Sequence, residues 1–237
     1  MDDWTLRTRM LLGEAAAEAL SRAHVAVFGL GGVGGWAAEA LARSGVGTLT
    51  LVDQDAVSVT NINRQLVALR STLGQPKAEI MAARVRDINP ACDARAVTGR
   101  YHKDTRAQFF PGPYDYVLDA IDLVACKLDL IQTALSCGVP IVSALGTGNK
   151  LDPTAFRIGD ISCTEMCPLA RVVRKELRRR GVLHHRVLWS PEEPAAPTMS
   201  EDCPPGRRSV PASVPWVPAC AGLMLAGDVV RQLIKKI

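Results

Sequence analysis

The chain has 237 residues, 48% of them hydrophobic and 22% charged, and a formal net charge of +4. That composition is ordinary for a globular domain with a large core. No apolar run approaches the ~18 residues that a membrane span needs, and residues 1–4 lack the basic and apolar regions of a signal peptide. Seven widely spaced cysteines favour a reducing cytoplasm over a disulfide framework. We expect a cytoplasmic protein with no membrane partner.

Short apolar strands alternate with helices through the first part of the chain. This alternation predicts an α/β fold with a Rossmann-like, doubly wound and mostly parallel sheet. The predicted strands are 24–29, 47–53, 95–98, 114–119 and 139–144, and the predicted helices are 33–43, 76–88, 105–110 and 124–136.

The remainder of the chain has a different character. It predicts a strand over 155–161 and a helix over 167–180. Eight of the 15 prolines then fall within 191–218, which predicts a long, mobile Pro-rich loop beside an active site. An apolar helix over 219–237 closes this C-terminal extension. We expect one domain, in which residues 1–150 form the nucleotide-binding half and residues 151–237 form the substrate and dimer half.

A glycine-rich turn follows the first predicted strand and opens the next helix. Its glycines allow close approach of a nucleotide, and the helix N-terminus favours anionic oxygens. Asp53 ends the second strand, 19 residues after the last glycine of the turn, where an acidic residue can bind ribose hydroxyls. These features alone would make NAD the default cofactor. The glycines are Gly29, Gly31, Gly32 and Gly34.

A polar run after the second strand argues against NAD. Asp55, Asn61, Arg64 and Gln65 lie at the edge where the nucleotide binds, and Lys77 begins a helix. A cation at a helix N-terminus is unfavourable unless an anion is nearby. Arginine suits bidentate phosphate contacts and lysine provides a point charge. The run therefore predicts ATP as the cofactor; the alternative is that Arg64 and Lys77 are ordinary surface residues.

Asp122 lies just past the strand 114–119, at a carboxyl end that faces the same crevice. Mg²⁺ prefers carboxylate and phosphate oxygens. We therefore predict Mg²⁺ as the second cofactor and Asp122 as its protein ligand.

These residues resemble the ThiF/MoeB superfamily of ATP-dependent activating enzymes, which is related to the ubiquitin-activating enzymes. The similarity is stronger to one branch, the tRNA threonylcarbamoyladenosine dehydratases. The segments similar to that branch are 36–43, 61–65, 77–79, 86–90, 119–122, 146–149, 152–154 and 167–171.

The resemblance implies an enzyme that adenylates the threonyl carboxylate of a modified adenosine beside the tRNA anticodon. The carbamoyl group of the substrate then attacks, closes a ring and releases AMP. In such an enzyme Asp53 would bind the ribose, and Asp122 would hold Mg²⁺ and help pyrophosphate to leave. The residues implied to contact the phosphates are Asn61, Arg64 and Lys77.

The resemblance also implies partners. The enzyme would be a homodimer in which an N-terminal arginine reaches the partner's site and acts in catalysis. Arg7 is the first choice for that residue and Arg9 the second. tRNA is the implied substrate, and a contact with a sulfur-relay protein is left open.

The cysteines bear on the sulfur-carrier activators of this superfamily, which usually hold zinc with two Cys-x-x-Cys pairs. This chain has no such pair: Cys163 and Cys167 are four apart, and Cys203 and Cys220 are 17 apart. Structural zinc normally needs tighter spacing. We interpret Cys163 and Cys167 as ordinary thiols and leave open a catalytic cysteine at Cys203 or Cys220.

Basic residues cluster on the helix predicted over 167–180. Arg171, Arg174, Lys175 and Arg178 are spaced three and four apart. Clustered cations favour a contact with the tRNA backbone. A solvated helix face is an equally good interpretation.

Two other functions remain open. One is an adenylyltransferase that activates the C-terminal carboxylate of a ubiquitin-like sulfur carrier. The other is an NAD(P)-binding oxidoreductase or a non-catalytic nucleotide-binding module. Arg64→Ala separates the last class, because an oxidoreductase would tolerate it.

Overall fold

The computed structural model describes residues 3–198 and 211–235. Their strands form one seven-stranded sheet with the order β3-β2-β1-β4-β5-β7-β6. Every neighbouring pair is parallel except β6 and β7, which are antiparallel. The strands are β1 His24–Phe28, β2 Thr48–Asp53, β3 Asp93–Thr98, β4 Tyr116–Asp119, β5 Ile141–Ala144, β6 Arg157–Asp160 and β7 Arg186–Trp189.

Eight α-helices accompany the sheet within these residues. Several ends follow from local sequence: α4 starts directly after Pro76, and Asn89-Pro90 stops it because proline disfavours helical backbone in the preceding residue. The helices are α1 Leu6–Leu12, α2 Glu14–Arg22, α3 Gly34–Arg43, α4 Lys77–Ile88, α5 Arg106–Phe109, α6 Val124–Ser136, α7 Pro168–Arg179 and α8 Trp216–Ile234.

Helices cover both faces of the sheet. On one face α3, α4 and α8 enclose a core that includes Leu41, Leu51 and Leu225. On the other face α6 and α7 enclose a second core that includes Phe28, Ile131 and Leu177. Because both faces are covered, the central strands are apolar at nearly every position instead of alternating with polar residues.

Helix α8 is long and apolar enough to cross a membrane by length and composition, and it alone has this character in the described part of the chain. The expectation that no apolar run approaches that length is therefore wrong for α8. Ten of its residues are buried within the fold. The buried Asp228 accepts from Nε and Nη2 of Arg186, both at 2.6 Å. α8 therefore packs as a core helix.

The predicted Rossmann-like, mostly parallel fold is confirmed. Three elements were not predicted: the N-terminal helices α1 and α2, and strand β7, which is short and preceded by two histidines. Helix α8 begins at Trp216, three residues earlier than predicted. Of the predicted Pro-rich loop 191–218, residues 199–210 lie outside the described residues.

Candidate nucleotide-binding site

The glycine turn joins the carboxyl end of β1 to the N-terminus of α3. Gly29 has φ 88°, and a Cβ there would lie 2.8 Å from the Ala120 carbonyl oxygen. At Gly34 a Cβ would lie 1.7 Å from the Gly29 carbonyl oxygen. Both positions therefore require glycine, one for its left-handed backbone and both for close packing. The turn leaves the first amides of α3 directed at the carboxyl edge of the sheet, where a phosphate can bind.

Asp53 ends β2 and is held against the glycine turn. Its Oδ2 accepts from the Leu30 backbone N–H at 2.6 Å, and its Oδ1 accepts from the Asp55 N–H at 2.8 Å. Burial raises the pKa of this carboxyl, and the two backbone N–H donors act in the opposite direction. Each oxygen has a further lone pair. Asp53 therefore fixes the turn and keeps acceptor capacity for a hydroxyl.

The polar run forms a loop beside the glycine turn, beginning with the short 3-10 helix Val59–Asn61. Asn61 Oδ1 accepts from the Ser58 N–H at 3.1 Å. The Arg64 guanidinium folds back on the loop, where Nη1 donates to the Thr60 carbonyl and to Asn63 Oδ1, both at 2.9 Å. We call residues 58–65 the clamp loop.

Gln65 lies buried beneath the glycine turn. A Cβ at Gly31 would lie 3.7 Å from Gln65 Nε2. Gln65 Oε1 is buried and has no hydrogen-bond partner among the described residues. Such an unsatisfied acceptor marks a position where a ligand or water is expected.

Lys77 is the first residue of α4 and is only 4% exposed. Its Nζ lies 3.2 Å from Oδ2 of Asp55, whose side chain is 55% exposed. A buried ammonium at a helix N-terminus is disfavoured both by the helix dipole and by burial. Asp55 offsets this in part, and a bound anion would offset it further.

Asp122 lies on the other side of the glycine turn and is exposed. Its position depends on a buried pair that sequence reasoning missed. Lys127 Nζ donates to Asp119 Oδ2 at 2.6 Å, and both side chains are 0% exposed. Asp119 Oδ1 also accepts from the Ile121 N–H at 3.0 Å, which shapes the turn before Asp122. The available signal was a lysine inside an apolar helix, since a buried lysine needs a partner.

The two N-terminal arginines differ sharply. Arg9 is ion-paired with Asp3, and it bonds Glu14 through Nε at 2.8 Å and Nη2 at 2.5 Å. Arg7 is exposed on α1 and has no ion-pair partner among the described residues. Among the described residues, Arg7 forms no hydrogen bond or ion pair with the other predicted site residues.

The predicted basic face of α7 divides into two parts. Arg174 is half-buried and donates from Nη1 to the Thr164 carbonyl at 2.6 Å and to Thr164 Oγ1 at 2.5 Å. It ties α7 to the preceding turn. Arg171, Lys175 and Arg178 are exposed, with no ion-pair partner in residues 3–198 and 211–235.

The cysteines form no metal cluster in the described residues, where no group of three or more His, Cys, Asp or Glu side chains is placed to hold a metal ion. Cys163 is exposed, whereas Cys167 is buried and its Sγ accepts from the Ala170 N–H at 3.5 Å. Cys220 is half-buried on α8. Cys203 lies outside the described residues.

Together these groups define a nucleotide-binding α/β protein. Its carboxyl edge carries a buried lysine and a cationic loop, where a dehydrogenase presents glycines and one acidic residue. The ThiF family model matches residues 5–236, and the chain belongs to the ThiF family.

The chain is similar to tRNA threonylcarbamoyladenosine dehydratases. It is 44% identical to that of Bacillus subtilis (strain 168) over 245 residues, covering 98% of this chain and 94% of the relative. Its fold matches the crystal structure of the E. coli tRNA N6-threonylcarbamoyladenosine dehydratase in complex with ATP, with a TM-score of 0.88 and 37% identity. That match covers 100% of this chain and 97% of the other.

The comparisons also bear on the alternatives. The molybdopterin-synthase adenylyltransferase of Salmonella typhimurium is 40% identical, but over only 139 residues, 59% of this chain and 55% of that protein. The molybdopterin-synthase adenylyltransferase is thus a more distant relative than the dehydratases. Membership of the ThiF family argues against the oxidoreductase interpretation.

Proposed function

We propose that this chain is an ATP-dependent dehydratase that acts on threonylcarbamoyladenosine in tRNA. The chain matches a dehydratase of this name along 98% of its length. The observation that carries the chemistry is the buried Lys77 ammonium at the start of α4, beside the cationic clamp loop. This is an arrangement suited to a triphosphate and to the charge that develops as pyrophosphate leaves.

We assign the individual roles from position. The glycine turn would receive the phosphates on backbone amides, and Asp53 would accept from ribose hydroxyls. Gln65 offers an unsatisfied acceptor below the turn, and Asp55 holds Lys77 in place. The side chains proposed to contact the phosphates are Asn61, Arg64 and Lys77.

Asp122 is the residue we propose as the Mg²⁺ ligand. It is an exposed carboxylate at the carboxyl edge, next to the turn that approaches Gly29. Mg²⁺ is commonly bound by one or two carboxylates together with substrate phosphates and water. One protein carboxylate therefore suffices at this position, and the bound ion would neutralise phosphate charge.

The reaction then needs little more than positioning. A carboxylate oxygen of the substrate attacks the α-phosphorus, and pyrophosphate leaves. The carbamoyl group of the same nucleoside attacks the acyl carbon, and AMP leaves with that carboxylate oxygen. Because the second step is intramolecular, its high effective molarity replaces a covalent nucleophile of the enzyme. We therefore assign no catalytic cysteine.

We propose that the enzyme works as a homodimer with Arg7 reaching the partner's site. Helix α1 and the residues before it expose four large apolar side chains around Arg7, at 48–84% exposure. Several exposed large apolar side chains within one short segment favour a protein interface. Arg9 is occupied by Asp3 and Glu14, which favours Arg7 for this role. The four side chains are Trp4, Leu6, Met10 and Leu11.

We further propose that tRNA phosphates contact the exposed cations of α7. Helix α7 begins at the carboxyl edge, where Cys167 Sγ lies 3.3 Å from the position of a Cβ at Gly146. Arg171, Lys175 and Arg178 then lead away from the site along one face. A cytoplasmic location and a division into a nucleotide half (1–150) and a substrate and dimer half (151–237) fit this assignment.

The test is direct. The purified protein is incubated with Mg-ATP and tRNA bearing threonylcarbamoyladenosine, and the digested nucleosides are weighed by mass spectrometry. We expect a nucleoside lighter by one water, formed together with AMP, and no AMP with unmodified tRNA. An unchanged nucleoside, with ATP–pyrophosphate exchange only when a carrier protein ending in Gly-Gly is added, would replace this proposal by the sulfur-carrier adenylyltransferase.

A further inference from the structure

The segment that leads into α8 crosses the carboxyl edge of the sheet. We call residues 211–215 the strap. At its far end, the position of a Cβ at Gly32 lies 3.2 Å from Cβ of Pro218, so the start of α8 lies against the glycine turn. Midway, Asn63 of the clamp loop donates from Nδ2 to the Ser213 carbonyl at 3.0 Å. The strap therefore touches the clamp loop, and the helix that it leads into touches the glycine turn.

Asn149, in the loop after β5, holds the near end of the strap through two hydrogen bonds. Its N–H donates to the Ala212 carbonyl at 2.7 Å, and its Oδ1 accepts from the Ala212 N–H, also at 2.7 Å. Its own carbonyl accepts from the Ala195 N–H at 2.8 Å. Asn149 thus joins two segments of the Pro-rich region that are 17 residues apart in sequence.

Asn149 adopts an unusual backbone to do this. Its φ is 58°, one of two positive values among the non-glycine residues described. Asparagine tolerates this left-handed region better than most residues, whereas alanine does not. The preceding Gly148 leaves no room for a side chain, because a Cβ there would lie 2.6 Å from Pro211 Cβ. The loop is shaped to receive the strap.

Other contacts hold the neighbouring chain independently of Asn149. Glu192 accepts from the Leu151 N–H at 2.8 Å and from the Asp152 N–H at 3.2 Å, and its carbonyl accepts from Lys150 Nζ. Trp216 Nε1 donates to the Leu151 carbonyl at 2.9 Å. Loss of the Asn149 side chain would therefore remove the Oδ1 hydrogen bond to the strap without unfolding its surroundings.

We propose that Asn149 is a positioning residue that fixes the strap between the clamp loop and the β5 loop. Through Asn63 the strap reaches Arg64, which donates to Asn63 Oδ1 at 2.9 Å. In this position the strap would orient the tRNA carboxylate relative to the α-phosphate of ATP. The rate of adenylation depends strongly on that orientation. The inference about turnover depends on the proposed function.

Three variants separate the side-chain bond from the backbone. Asn149→Gly keeps the left-handed backbone and both main-chain bonds but loses the Oδ1 acceptor. Asn149→Asp keeps the acceptor and is the matched control. Asn63→Asp releases the middle of the strap, because it removes the Nδ2 donor while retaining the acceptor for Arg64.

The experiment measures tRNA-dependent AMP release and hydrogen exchange of residues 211–216. We expect Asn149→Gly and Asn63→Asp to lower kcat/KM for the modified tRNA about tenfold or more, with the KM for ATP changed less than about threefold. Hydrogen exchange of residues 211–216 should be faster in both variants. Asn149→Asp should match the wild-type protein in both kcat/KM and hydrogen exchange. Wild-type kcat/KM in Asn149→Gly, or equal loss in Asn149→Asp, would overturn the inference.

The same experiment keeps the two proposals apart. If the wild-type protein releases no AMP with the modified tRNA, the proposed function fails, and the role of Asn149 is decided by hydrogen exchange alone. Faster exchange in Asn149→Gly than in Asn149→Asp then supports the positioning role. Equal exchange in the two variants contradicts it.

Discussion

The two lateral halves of the sheet, which we call its β2–β1–β4 end and its β5–β7–β6 end, present polar groups in different ways. At the β2–β1–β4 end, each polar side chain follows the strand that carries it: Asp53 ends β2, and Asp122 follows β4 within a few residues. At the β5–β7–β6 end, the polar contacts join distant segments. Asn149 is hydrogen-bonded to Ala195 and Ala212, and His185 is hydrogen-bonded to Ser143 of β5 through Nε2 at 2.8 Å.

The difference has a physical origin. Parallel strands gather their carboxyl ends at one edge, so a short local sequence is enough to form a nucleotide crevice there. The β6 strand is antiparallel to β7, and the chain returns across the edge as the strap. Closing that side requires long-range hydrogen bonds. We infer that the first end binds the nucleotide and the second end presents the tRNA.

The largest expected effect is on stability, at the boundary between the two ends. Lys127→Met removes one partner of a fully buried ion pair and should lower the free energy of unfolding by about 3–5 kcal/mol. Asp119→Asn combined with Lys127→Met keeps the acceptor for the Ile121 N–H and should recover most of the loss. Urea unfolding measures both. A single variant within about 1 kcal/mol of wild type would show that the pair does not support the edge.

The next largest effect is on turnover, and it tests the role of the clamp loop at the β2–β1–β4 end. Arg64→Ala should reduce AMP release at least about a hundredfold, because it removes a cation that stabilises developing phosphate charge. Arg70→Ala is the matched control, since Arg70 is exposed in the following short helix Arg70–Thr72. Steady-state kinetics with the modified tRNA gives both values. Similar rates for the two variants would contradict the role given to the clamp loop.

His185 provides a pH test of the other end. Burial, with Lys127 nearby, lowers the pKa of His185 from 6.5 to about 3, while Asp160 acts in the opposite direction. The unfolded state therefore takes up the proton first as the pH falls, and the native state loses stability below about pH 6.5.

Between pH 7 and pH 5 this difference amounts to roughly 2 kcal/mol from His185. His185→Gln should remove that part of the pH dependence while keeping a polar partner for Ser143. Urea midpoints of both proteins at the two pH values measure it. The same decline in the variant as in wild type would mean that His185 is not the group responsible.

The smallest effect concerns tRNA affinity. Replacing Arg171, Lys175 and Arg178 of α7 with glutamine should weaken tRNA binding about tenfold and reduce the slope of log K against log salt by about two to three. A control with glutamine at Arg22, Arg43 and Arg231 removes three exposed positive charges elsewhere. Fluorescence titrations at several salt concentrations give both slopes. Equal losses in the two triple variants would indicate a general charge effect and remove α7 from the tRNA surface.

Much of the nucleotide end could be predicted because its residues are close in sequence. The glycine turn and the run from Asp53 to Gln65 have a recognisable spacing in the sequence, and in the structure they lie together at one edge of the sheet. Lys127 and Asn149 could not be found in this way, because their partners are set by strand pairing and by the path of the strap. The half-buried state of Arg174 could not be predicted for the same reason, since helical spacing alone places this residue with the exposed cations of α7.

The central claim is that the enzyme adenylates a carboxylate of the tRNA nucleoside. It is tested most directly with modified tRNA in which both oxygens of the threonyl carboxylate are a heavy isotope. Mass spectrometry of the AMP released by the wild-type protein then follows the isotope. We expect AMP that carries one heavy oxygen in its phosphate, because the bond that breaks in the second step joins the acyl carbon to that oxygen. Unlabelled AMP formed together with the dehydrated nucleoside would contradict it.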